Sequence, residues 1–509
     1  MTIEALPPAN DREDPAPTDL ITNSAATRSA DLDRSLMRGI LWTSGVKWIG
    51  QAATWISTIV VARVLGPDAF GLVGMAMIYM GLVTLVSEFG IGSAVVTLRS
   101  LSEAQVKQVN SVAIMIGLVA MLISLAAATP VGAAFGVPEV RTIVLALSCT
   151  LLISSFQTVP SALLQREMRF KRLAAGEGTQ TLLTAAVTVI FALDGMGFWS
   201  LVAGQIAGSL ALSIILVLSS PTRFAVPRKA DLQQAITFSS HMIVARLAWY
   251  VFSNADFAVV GRVAGKAALG AYTFGWTLAN VPIEKVTSMV IRVTPSVLSA
   301  VRDDPPALRR YLLRITEAIA VITFPATMGL ALVAGPLVIV ALGEPWRAAI
   351  VPLRLLAIYS GVRSIAPMIS QVLAALGETR VLMRWNAVGA VVLPFGFIVG
   401  SHWGAAGVAA AWILVHPIVL FPTYRFVFKA IELPVRDYFL AIWPALSGNI
   451  AMAVTVMLWN HFELYGSTPL TRLLVLSGVG AVTYVATLFL LHGERIRVLR
   501  VMIAELRAA

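Results

Sequence analysis

Apolar runs of about 20 residues recur along almost the whole chain, and a helix of that length crosses the ~30 Å hydrocarbon core of a bilayer. The runs fall at 39–63, 70–95, 110–130, 141–164, 176–194, 198–219, 235–260, 270–299, 312–334, 348–376, 383–401, 405–424, 438–459 and 470–491. Such a pattern is foreign to a soluble globule. Of 509 residues, 58% are hydrophobic and only 13% are charged, about half the usual charged share. Leu, Val, Ala and Ile stand in continuous stretches without strand-like alternation, which argues against a β-barrel. The expected fold is all-α and integral to a membrane, with about fourteen transmembrane helices.

The positive charges orient these spans. With the N-terminus inside, the inner segments carry 25 Lys and Arg. The outer loops carry only Arg141, Arg262, Lys266 and Arg347. Cytoplasmic loops of multi-span proteins collect Lys and Arg, so both termini are expected in the cytoplasm. The same rule accounts for the net charge of +11 without nucleic acid as a partner. The outer loops are too short to build an external domain.

An internal repeat sets the organisation. Residues 60–72, VVARVLGPDAFGL, recur at 259–271 as VVGRVAGKAALGA, and Val60, Val61, Arg63, Val64, Gly66, Ala69 and Gly71 are each matched 199 positions later. Each copy closes an apolar helix and opens a Gly-rich turn. Related halves in a membrane protein point to a transporter. Six helices separate the copies, so the halves enter the membrane in the same direction. The expected division is a disordered cytoplasmic tail at 1–35, an N-terminal lobe of spans one to six at 36–220, and a C-terminal lobe of spans seven to twelve at 221–430. Two extra spans follow at 431–495, and a cytoplasmic tail at 496–509.

Charges inside the membrane cost about 2.5–3.5 kcal/mol each on insertion scales and call for a reason. On span one, Thr43, Lys47, Gln51, Thr54 and Thr58 share a helical face, with Lys47 roughly 12 Å from the inner end. Span seven carries Ser239, Arg246, Tyr250 and Ser253 on one face. The 199-residue offset pairs Lys47 with Arg246, Gln51 with Tyr250 and Thr54 with Ser253. Two facing stripes, each with a cation, would line a central cavity. Span eight adds Glu284, Lys285, Ser288 and Arg292, and span ten adds Arg363 with Tyr359 one turn away. Acids at depth are few: Glu88, Asp256, Glu284 and Glu317. A net positive cavity suits an anion, and Arg suits phosphate oxygens. The alternative is that these groups form buried ion pairs that lock the helices together. Glu88 and Asp256 are the candidates for coupling to an ion.

Signatures of enzymes are absent from the sequence: there is no P-loop, HExxH or GxSxG. The five histidines are scattered, so no metal site and no cofactor is expected. The single cysteine, Cys149, allows no internal disulfide.

The fourteen spans, ARVLGPDAFGL at 62–72, SEFGIGSAVV at 87–96 and LLQREMRFKRLA at 163–174 resemble the polysaccharide-transporter branch of the multidrug/oligosaccharidyl-lipid/polysaccharide exporter superfamily. The similarity is greatest to Wzx-type oligosaccharide flippases of the exopolysaccharide kind. It implies two parallel six-helix lobes in a V plus two C-terminal helices in a bacterial inner membrane. It implies a polyprenyl-diphosphate-linked oligosaccharide as substrate, flipped from the cytoplasmic to the periplasmic leaflet among membrane lipids, with polymerase and export components as further partners. Carried over residue by residue, it implies that Lys47, Arg63, Arg246, Arg262, Lys285 and Arg363 hold the diphosphate. Arg63 and Arg262 lie near the outer end, where they serve an outward-facing state or snorkel. The alternatives are a lipid II flippase, a cation-coupled drug exporter, which needs deep acids in the first lobe, and a membrane glycan-processing enzyme, which the short outer loops disfavour.

Overall fold

The computed structural model describes the backbone of residues 17–87, 91–98, 101–463 and 468–508. It describes their side chains except those of 17–49, 91, 229–246, 248, 288–289, 291–293, 296–297, 379 and 495–508. Among the described residues every regular element is a helix. Among the described residues, ten stretches are long and apolar enough to cross a membrane. Two of them, Gly50–Thr97 and Arg380–Ala430, run to 48 and 51 residues. At ~1.5 Å per residue each is about twice the thickness of the hydrocarbon, and each contains a break.

The breaks in α1 (Pro17–Ser87) and α7 (Lys229–Ala300) are the two copies of the repeat. Gly66 has φ 72° and ψ 179°, and Gly265 has φ 85° and ψ −179°. Only glycine takes these angles at no steric cost, so each glycine divides its helix into two limbs. After Gly66 the chain continues through Pro67, whose fixed φ and missing N–H suit the first position of a new limb.

The short α2 (Ile91–Thr97), α3 (Glu103–Phe135), α4 (Glu139–Arg166), α5 (Phe170–Leu193) and α6 (Trp199–Ser219) pack with α1 into one lobe. A second lobe is formed by α7, α8 (Pro305–Ala341), α9 (Ile350–Arg363), α10 (Ala366–Ala375), α11 (Thr379–Gly400) and α12 (Gly404–Ala430). The last two helices, α13 (Val435–His461) and α14 (Pro469–Ala508), pack on each other and on α8.

The lobes meet mainly along α1 and α7. At the bend, a Cβ on Gly71 would run into the Lys266 carbonyl oxygen, and one on Gly270 would run into the Pro67 carbonyl oxygen. These contacts are reciprocal under the 199-residue offset, as two copies of one surface require. Trp346 lies beside them in a short 3-10 turn, Glu344–Ala349. It is fully buried and packs against Phe70 of the first lobe and Phe274 of the second, at ring distances of 5.5 and 5.2 Å. Its indole Nε1–H donates to the Ala62 carbonyl at 2.9 Å. The lobes are thus sealed against each other at the Gly66/Gly265 end.

Candidate functional site: an arginine on an aromatic floor

Pro367 lacks an N–H, and its ring would clash with the carbonyl four residues earlier, which is that of Arg363. Helix α9 accordingly ends at Arg363, and α10 begins three residues later. The arginine projects from this break into a cavity of about 800 Å³ in the second lobe. There its Nη2 donates to Asn280 Oδ1 at 2.7 Å. Its guanidinium carbon lies 5.1 Å from the ring centre of Trp276 and 5.9 Å from that of Tyr359. Among the described residues no carboxylate forms an ion pair with it. A guanidinium over an aromatic face is held by about 0.5–2 kcal/mol, more as water is excluded, while its remaining N–H donors stay available.

The floor is a set of interlocked rings. Tyr359 stacks on Trp412 at 5.1 Å, and its hydroxyl lies 3.2 Å from His416 Nδ1. Beneath them Asp256 is fully buried. Its Oδ2 accepts from the Tyr272 hydroxyl at 2.8 Å and from Trp412 Nε1–H at 3.0 Å, whereas its Oδ1 has no partner. A buried carboxylate oxygen left bare is costly. The lining also includes Trp249, Glu284 and Gln371. Along the second limb of α7 the lining runs from Trp276 to Thr287, roughly 16 to 33 Å from the bend at Gly265. The cavity therefore occupies the middle of the protein and the end opposite the seal.

The other expected residues fall in several places. Tyr250 bridges the lobes: its hydroxyl donates to the Ile78 carbonyl at 2.8 Å, against Gly81. Gln51 is half-buried on α1. Lys285 is exposed, outside the lining of the Arg363 cavity. Arg63 crosses the seam and donates through Nε to the Ala341 carbonyl at 2.8 Å and through Nη2 to the Val340 carbonyl, capping the end of α8. Arg262 stands in the matching place, beside the left-handed Gly136 that ends α3. The side chains of Lys47, Arg246 and Arg292, and all of Glu88, lie outside the described residues. Of the span-one stripe, Thr54 and Thr58 line a cavity against α5, with Gln180, Thr184 and Thr188, so this part of the stripe faces its own lobe.

Sequence reasoning did not single out Tyr272, Trp276, Asn280, Trp412 or His416 for the site. A signal for three of them was present. Tyr272, Trp276, Asn280 and Glu284 follow one another at intervals of four and continue the stripe of Glu284, Ser288 and Arg292 toward the bend.

Comparison with known proteins agrees with this architecture. The model of a family described as "Polysaccharide biosynthesis protein" matches residues 60–351. The chain is 25% identical over 470 residues to the succinoglycan biosynthesis transport protein ExoT of Rhizobium meliloti (strain 1021), covering 91% of this chain and 94% of that one. It is 24% identical over 419 residues to the lipopolysaccharide biosynthesis protein WzxC of Escherichia coli (strain K12), covering 79% and 84%. Among solved structures it is similar to the lipid II flippase MurJ in an inward closed conformation. The TM-score is 0.71 and the identity 14%, over 90% of this chain and 100% of that one. An inward-facing multidrug resistance MATE family transporter gives a TM-score of 0.61 at 15% identity, over 75% and 94%. Likeness at that identity establishes the fold alone.

Proposed function

This chain belongs to the polysaccharide biosynthesis protein family, and from that premise we propose that it is a flippase. Its cargo is an oligosaccharide repeat unit on a polyprenyl diphosphate, moved from the cytoplasmic to the periplasmic leaflet for exopolysaccharide or lipopolysaccharide assembly. One observation carries the reading: Arg363, with no carboxylate partner among the described residues, is held over aromatic rings in a large cavity away from the sealed end. A diphosphate needs donors that no internal anion has already taken. Several sugars and two phosphates cannot cross ~30 Å of hydrocarbon unaided. We read the Gly66/Gly265 end as periplasmic and the cavity as open toward the cytoplasm, with lobes at 36–220 and 221–430. Lys47 and Arg246, one from each lobe, complete the cationic lining on this reading. Arg63 and Arg262 serve the seam.

Lipid analysis of a deletion strain tests the proposal. Build-up of one undecaprenyl-diphosphate oligosaccharide on the inner leaflet, relieved by the wild-type chain and not by Arg363→Ala, Lys47→Ala or Arg246→Ala, is expected. Accumulation of lipid II instead would select the peptidoglycan alternative, and full rescue by all three variants would sink the diphosphate site. A second reading concerns coupling. The unpartnered Oδ1 of Asp256 favours a proton or small cation visiting the second lobe during the cycle. That idea fails if Asp256→Asn transports with an unchanged dependence on the ion gradient.

A further inference from the structure

A second cavity, of about 460 Å³, lies wholly within the first lobe, between α2, α4, α5 and α6, and shares no residue with the Arg363 cavity. Its volume is that of a small-ligand site. One face of α4 supplies its polar wall: Ser154, Gln157, Thr158, Ser161 and Gln165 recur at helical spacing. Two of these hydroxyls have already spent their protons on the backbone of α4. Ser154 donates to the Leu151 carbonyl at 3.1 Å, and Thr158 donates to the Ser154 carbonyl at 3.2 Å. What these two hydroxyls turn to the cavity is lone pairs, and the Ser161 hydroxyl oxygen accepts from Gln165 Nε2 at 3.4 Å. Gln157 Oε1 adds a buried acceptor with no partner. Among the described residues the one charged residue in the lining is Glu177, an acceptor again. The apolar part of the lining is Leu151, on α4 itself, with Leu212 and Leu216 of α6.

We infer that this cavity is a subsite for the uncharged sugars of the cargo. The inference rests on the flippase reading above. A lining with spare acceptors, an unpaired buried oxygen and no cation among its described residues is a poor match for a phosphate. It suits a ligand that donates several hydrogen bonds and presents an apolar face, which is how a neutral pyranose is built: hydroxyls around the rim, C–H groups on the ring face. The two lobes then divide the headgroup by chemistry, with the diphosphate on the guanidinium of the second lobe and the sugars on the hydroxyl and amide wall of the first.

The test uses the full chain in nanodiscs and two probes: bare undecaprenyl diphosphate, and the sugar-bearing undecaprenyl diphosphate extracted from a strain lacking this protein. The variant is Gln157→Leu with Thr158→Val, which removes acceptors at nearly constant volume. It is expected to bind the sugar-bearing lipid about tenfold more weakly, since each lost hydrogen bond in a dry site is worth a factor of this order. Its affinity for the bare lipid should stay unchanged. Arg363→Ala is expected to weaken both. Equal loss on both probes, or loss on neither, in a variant with the wild-type melting temperature overturns the subsite. Failure of the wild type to bind either lipid overturns the flippase reading and the subsite with it. Gln157→Glu supplies a variant that keeps the side-chain size. If it tightens binding of tetraphenylphosphonium and leaves the sugar-bearing lipid unaffected, the cavity takes a cation and the inference is wrong.

Discussion

Gly71 and Gly270 pack against each other's bend, each lying where a single methyl group would strike the opposite backbone carbonyl. They stand 199 positions apart, at matching places in the repeat. The contact is therefore the junction at which two related halves recognise each other, and it closes one end of the molecule. Backbone this close leaves no slack: the lobes are either in this contact or apart from it, the kind of two-state element on which alternating access depends.

Gly270→Ala is expected to shift the protein toward the separated arrangement, because overpacking costs about 1–3 kcal/mol. Asp68 and Ala267, exposed on the two bends and equivalent in the repeat, are suitable positions for spin labels in a Cys149→Ser background. The distance between them should lengthen in the variant. An unchanged distribution would show that the glycine contact does not control the seam.

Trp346 should be the strongest single support of this end. Trp346→Ala removes a fully buried ring and its bond to Ala62, a loss of about 3–5 kcal/mol for a buried aromatic. Trp346→Phe keeps the ring contacts with Phe70 and Phe274 and gives up only the hydrogen bond, about 1 kcal/mol. Melting curves of the purified variants should rank wild type, Phe and Ala in that order.

Arg63 anchors the seam from the other direction. Arg63→Ala frees the carbonyls of Val340 and Ala341, and faster hydrogen exchange at the end of α8 is the expected result. Arg63→Lys should recover part of the protection, since an ammonium reaches one carbonyl but lacks the fork that serves two.

At Arg363 the geometry of the guanidinium is as important as its charge. Arg363→Lys keeps a cation but loses the planar contact with Trp276 and the bond to Asn280. Affinity for undecaprenyl diphosphate should fall about tenfold for Lys, equivalent to about 1.4 kcal/mol, and further for Ala. Equal binding by Arg and Lys would reduce the site to a point charge.

Asp256 separates two effects. In Asp256→Asn the amide oxygen can still accept from Tyr272 and Trp412, so the fold should hold. Asp256→Leu strands both donors in a buried place and is expected to lose about 1–3 kcal/mol of stability for each, visible as a lower melting temperature.

Several of these features could be read from the chain. The 199-residue repeat marks Gly66 and Gly265, because glycine at a bend leaves a mark in sequence that survives divergence elsewhere. Pro367 stands four residues after Arg363 in the sequence, and the cavity forms around that break. The stripe from Tyr272 to Glu284 was there at intervals of four. Periodicity, however, names a face without naming what it meets. Thr54 and Thr58 lie on one side of α1 as expected, yet that side packs toward α5 of the same lobe. Arg63 finds its acceptors at Val340 and Ala341, 277 and 278 positions away, and no local pattern encodes such a pairing.

By itself the sequence determined that this protein is helical, crosses a membrane many times, and carries an internal repeat. Those properties follow from hydrophobic length and from duplication, both written along the chain. Tertiary structure alone decided that the repeat forms a seal, that Arg363 rests on Trp276 while Arg63 caps a helix, and that the first lobe holds a cavity of its own with a polar wall on α4. In a bilayer the apolar faces of helices are nearly interchangeable, since lipid solvates them as well as protein does. Which polar groups end up facing one another is therefore settled by the shape of the packed helices, by glycines that allow close approach and prolines that break a limb, and appears only once all of them are in place.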